Sequence, residues 1–151
     1  MEAIDQNNRY TVAFRGSFAG ILRWHQLDEF WENLRNSITA DPAEDWYIYA
    51  VGEEPPETSS DKDQLHTFIT EIDILLRKEH EEDYCGVVYV DDFNTPSFVK
   101  IFDPNNLGVS CGFSDNPPLP GWILSVIPPV DLKVALAPPG NRSRWWKKLF
   151  A

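Results

Sequence analysis

Leu65, Phe68, Ile69, Ile72, Leu75 and Leu76 recur in steps of three and four, so all six fall along one side of a 3.6-residue helix. Ser60, followed three places later by Asp63, matches a helix-start box immediately upstream. A stripe of this size is stable in water only if another apolar surface covers it. A second stripe precedes it: Leu27, Phe30, Trp31, Leu34 and Ile38 share one face, Asp28, Glu29, Glu32 and Arg35 take the other, and Asp41-Pro42 ends the run. Two amphipathic helices therefore need a common partner, and the rest of the chain reads as a sheet.

Strand formers cluster at Tyr10 to Phe14, at Trp46 to Val51, and then in quick succession at Tyr84 to Val90, Ser97 to Phe102, Leu107 to Phe113 and Trp122 to Ile127. The run Ile21 to Trp24 reads as a strand or as the start of the first helix. Turn chemistry separates the later strands: Asp91 to Pro96, Asp103 to Asn106 and Ser114 to Gly121 are rich in Asp, Asn, Gly and Pro. Glu53 to Ser60 reads as a surface loop, and Val130 to Ala137 as one more short element. Short connections favour antiparallel pairing. The expectation is an α+β fold, a mainly antiparallel sheet of about five to six strands with the two amphipathic helices packed on one face.

A length of 151 residues fits one domain, since a chain of this size buries roughly 68–70% of its unfolded surface. Residues 1–140 read as a single acidic α+β domain and residues 141–151 as a basic, aromatic C-terminal tail, set off by Pro138-Pro139-Gly140. The formal charge is −11 and the pI about 4.5, so the body repels phosphate and nucleic acid is not an expected partner. Charge is also segregated. Arg142, Arg144, Lys147 and Lys148 stand in the last ten residues with no acid, leaving nine cations against 24 acids, a charge of −15, over residues 1–141.

The tail pairs those four cations with Trp145, Trp146 and Phe150. Such a segment can enter a groove on a protein partner, meet an acidic surface, or lie at a membrane interface; the last is the weakest option because one short segment anchors poorly. The competing structural role is packing of the rings on the chain's own apolar surface. The expected partner-binding residues are Arg142, Arg144, Trp145, Trp146, Lys147, Lys148 and Phe150, and the expected partner is another protein or a second copy of the chain.

Chemistry is less legible. His25, His66 and His80 lack metal-ligand spacing. The acids Glu79, Glu81, Glu82, Asp83, Asp91 and Asp92 lack the glycine turn of a calcium loop and read as a solvated rim. Asp103 to Gly112 concentrates Asn, Gly, Ser and Cys, but Ser110 has no G-x-S-x-G setting and Cys111 has no assignable histidine, so a tight hairpin with a packed cysteine is the simpler reading. No catalytic residue, metal site or cofactor is expected. Cys85 and Cys111 are too few for a disulfide framework, no run reaches the roughly 18–20 apolar residues of a membrane span, and residues 1–9 carry no apolar leader. The expected location is the cytoplasm, with both thiols reduced. The sequence thus points to a non-enzymatic interaction or regulatory protein. Its alternative is a small enzyme or ligand-binding domain with a pocket between sheet and helices, using His25, Asp103 or Cys111.

Overall fold

A computed structural model describes residues 9–40, 43–80, 83–105 and 119–132. Residues 9–14 are helical (α1). They are followed by β1 (Ala19–Ile21), α2 (Trp24–Thr39), β2 (Tyr47–Ala50), α3 (Lys62–Glu79), β3 (Val88–Val90), β4 (Phe98–Ile101) and β5 (Trp122–Ser125). The strands form one sheet in the order β1-β3-β4-β5-β2, every neighbour antiparallel. The α+β fold with its antiparallel sheet and two long helices is thus as expected.

Side-chain alternation divides the sheet into two faces. Pairing aligns Ile21, Val88 and Ile101 across one face, with Val90, Val99 and Leu124 in the next row. That face is covered by α2 and α3 through Leu27, Phe30, Trp31, Leu34, Ile38, Leu65, Ile69, Ile72 and Leu76, all buried. The two helices run antiparallel and are tied along their length. The Trp31 indole donates to Asp73 Oδ1 at 3.1 Å, and Arg35 donates to Thr70 Oγ1 at 2.9 Å and to His66 Nδ1 at 2.8 Å. Arg77 reaches Asp28 at 2.6 Å and Asp73 at 3.0 Å while lying over the Trp24 ring.

The opposite face is also covered. Tyr10, Tyr49, Phe98, Ile123 and Leu132 are buried there, with Ala13, Phe14, Phe18 and Val130 packed around them. This is where the sequence-based reading of residues 10–14 as a strand fails. Tyr10, Ala13 and Phe14 are spaced i, i+3, i+4 and as a helix share one side, from which the Tyr10 and Phe14 rings meet Phe98 and Ala13 packs against the same cluster; an extended segment would turn Ala13 to the opposite face. Aromatic strand propensity is overridden by that burial.

The start of α3 shifts by one residue. Asp61 rather than Ser60 is the cap: its Oδ1 accepts from Gln64 N at 2.8 Å, and Gln64 Oε1 accepts from Asp61 N at 2.9 Å. Ser60 instead donates its N–H to Trp46 O at 2.9 Å and covers the outer edge of β2. The strand predicted over 84–90 shortens to β3 because Cys85 N and Gly86 N bond to Leu22 O and Ile21 O, and Gly86 turns the chain with φ +67. The run 21–24 divides between the end of β1 and the first residue of α2. Asp41-Pro42, the strand expected over 107–113 and most of the element expected over 130–137 lie outside the described residues.

Candidate functional site

At the end where α2 stops and α3 starts, the chain forms a cleft of about 470 Å³ lined by Ile38, Ala40, Ala43 to Asp45, and Ser59 to Lys62 with Leu65. Its geometry follows from the two helix ends. Ile38 and Leu65, the last and first apolar residues of their stripes, form a floor and are only 2% and 3% exposed. Ala40 adopts an extended conformation and stops α2, and the Ser60–Trp46 bridge holds the opposite wall against the buried Trp46.

The rim is acidic. Glu44, Asp45 and Asp61 are exposed around the cleft, with Lys62 as the one cation among its described lining residues. The surrounding segment 44–63 carries seven carboxylates against that single lysine. A free helix start attracts anions, but here Asp61 has already taken the Gln64 amide and the rim repels negative charge. The arrangement suits a cationic side chain next to an apolar one: carboxylates to meet the charge and a greasy floor for its neighbour.

The same bias extends over the body. Acids such as Glu29, Glu32, Glu53, Glu54, Glu57, Asp63, Glu71, Asp83 and Asp92 are exposed. Two cations instead turn into the packing: Arg35 is held by His66 and Thr70, and the Lys100 ammonium lies 4.1 Å and 3.9 Å from the Phe14 and Phe18 ring centroids, whereas Arg77, which bridges Asp28 and Asp73, stays exposed, as do Arg9, Arg15, Arg23, Lys62 and Lys78. Burial lowers the Lys100 pKa. The acidic character of the surface comes from the excess of exposed carboxylates over exposed cations among the described residues.

The residues singled out from the sequence are dispersed. His25 is exposed on the first turn of α2. Asp103 is half-buried after β4 and accepts from Asn105 N at 2.9 Å in a local turn. Cys111, Ser110 and most of the 103–112 hairpin lie outside the described residues, as do Glu81 and Glu82 and the partner-binding set Arg142, Arg144, Trp145, Trp146, Lys147, Lys148 and Phe150. Asp91 and Asp92 are occupied by a turn: Asp91 accepts from the amides of Ser97 and Phe98 and from the Ser97 hydroxyl, and Asp92 from the amides of Asn94 and Thr95. His66 accepts at Nδ1 from Arg35, and the His80 ring lies edge-on to Trp24 and Tyr84. Cys85 is fully buried in the helix-side core, and burial raises its thiol pKa, which suppresses thiolate chemistry.

Sequence reasoning missed both the cleft and Lys100. The cleft is built from segments twenty residues apart, with no shared motif. Lys100 did carry a signal: a lone charge within Phe98–Ile101, alternating onto the same face as Phe98. No family model, no curated protein and no solved structure matches the chain. Among the described residues no helix is long and apolar enough to cross a membrane.

Proposed function

We propose that this is a non-enzymatic interaction protein whose acidic body receives a basic segment of another protein chain, with the cleft between α2 and α3 as the point of contact. The observation that carries this reading is the crowding of exposed carboxylates at the cleft rim and over the body, with Lys62 the single cation among the described lining residues. The tail supplies a second contact of opposite sign. Its Arg142, Arg144, Lys147 and Lys148 with Trp145, Trp146 and Phe150 have the composition the cleft accepts, so a second copy of the chain belongs among the partners.

The test uses a fluorescent peptide with the sequence of residues 142–150 and the protein lacking residues 141–151. The reading expects saturable binding at low salt, weakened by added NaCl because exposed charge pairs are screened beyond roughly 10 Å at 0.1 M. It also expects a large loss of binding in the variant Glu44→Lys, Asp45→Lys. A peptide with its cations replaced by Gln should not bind. Equal binding of the Gln peptide, or full binding by the double variant, overturns the cleft as the contact.

A further inference from the structure

We propose that in the free protein the cleft between α2 and α3 is occupied by residues 142–150 of the same molecule, so that a basic partner must displace an internal competitor. The inference rests on the reading of the cleft as a site for basic segments and adds how that site is regulated.

The place where the described chain ends selects this occupant. Leu132 is fully buried on the face of the sheet away from the helices, and its N–H donates to Tyr49 Oη at 3.3 Å. Tyr49 belongs to β2, an outer strand, and Glu44 and Asp45 just before that strand line the cleft. The extended chain from Tyr49 back to Asp45 covers about 13 Å, and passing round the sheet edge to the helix side adds a distance of the same order. Residues 133–141 separate Leu132 from Arg142, and fully extended they span up to roughly 30 Å. The segment thus reaches the cleft while Leu132 stays in the core.

Charge and shape agree with that reach. Trp145 and Trp146 stand between Arg144 and Lys147, so an indole entering the cleft is flanked by cations. Ile38, Ala40, Ala43 and Leu65 offer the ring an apolar surface, and Glu44, Asp45 and Asp61 meet the cations. Tethering makes even a weak contact well populated. A short linker sets an effective concentration on the order of 1 mM. A contact with a Kd of about 100 μM between separate molecules would then be filled in roughly nine molecules of ten, and added peptide would bind about tenfold more weakly than to an open cleft.

The experiment mixes equal amounts of unlabelled and isotope-labelled full-length protein and treats them with carbodiimide, which joins an amine to a carboxylate in contact. Joined peptides are mapped by mass spectrometry. Lys147 or Lys148 is expected to join Glu44, Asp45 or Asp61 in pairs of a single isotope. The same joins in mixed-isotope pairs overturn the internal occupant and keep the cleft as a site for a second copy; no join between those lysines and the cleft acids also overturns the proposal. In parallel, the fluorescent 142–150 peptide is titrated into the full chain and into its variant R142Q/R144Q/K147Q/K148Q, which should bind it about tenfold more tightly. Equal saturable binding by both overturns the internal competitor alone, whereas no binding by either overturns the reading of the cleft on which it rests.

Discussion

Asp73 shows how much one side chain can hold together. Its carboxylate accepts the indole N–H of the buried Trp31 and the Nε–H of Arg77, so Asp73→Ala removes two charge-assisted contacts and leaves an indole donor beneath the helix pair. Leaving a buried donor unpaired costs roughly 1–3 kcal/mol, and urea unfolding should show a lower midpoint with an unchanged slope. Tyr10 is the opposite case. Its hydroxyl is buried without a hydrogen-bond partner among the described residues, and the neighbouring Ser125 Oγ donates to Ile127 O at 2.7 Å. Tyr10→Phe should therefore be neutral or stabilising near pH 7. The pKa of Tyr10 is raised, first by burial and then by Tyr49, and that of Tyr49 is raised mainly by burial. Folding thus favours the neutral phenols: their contribution is whole below the usual tyrosine value of 10.0 and is lost as pH rises above it, when the unfolded chain ionises first. Lys100 acts in the other sense, since a lowered lysine pKa penalises folding at neutral pH and the penalty lifts as pH climbs toward 10.5. Comparing urea midpoints at about pH 8 and about pH 11, wild type should lose more stability than Tyr10→Phe; equal losses would remove Tyr10 from the alkaline response.

At the scale of elements, the cap of α3 gives a sharp comparison between neighbours. Asp61→Ala should lower stability by about 1 kcal/mol, the usual worth of an N-cap, and Ser60→Ala should do much less, because Ser60 contributes its backbone to the edge of β2. Thermal melts of the two variants decide it. The long helices were legible because each buries a full stripe, so period and burial agree: Leu27, Phe30, Trp31, Leu34 and Ile38 are all in the core. The strands β2, β4 and β5 were legible as runs of strand formers between turn signals. Residues 10–14 were not, because over five residues an aromatic strand and one helical turn look alike until the sheet face they cover is known. The cleft escaped for a related reason. Ile38 and Leu65 announce core positions, and nothing in the sequence tells that two helix ends meet there and leave a gap between them.

Over the whole molecule, the net charge of −11 sets a self-repulsion that packing must overcome. Raising NaCl from low to physiological levels should raise the melting temperature of the protein while weakening its hold on a basic peptide, two effects of one screening length with opposite outcomes. The order of the sheet has another consequence. Both outer strands, β1 and β2, come from the first third of the chain, whereas the three inner ones come from residues 88–125. As the ribosome releases this polypeptide, β2 has no neighbour until β5 emerges some seventy residues later. Through that interval its apolar flank depends on transient shelter rather than on native pairing. A fragment ending at residue 105 should accordingly show no cooperative unfolding transition, and the hydrogen-exchange protection of Tyr47 to Ala50 should appear only once the last strand is in place.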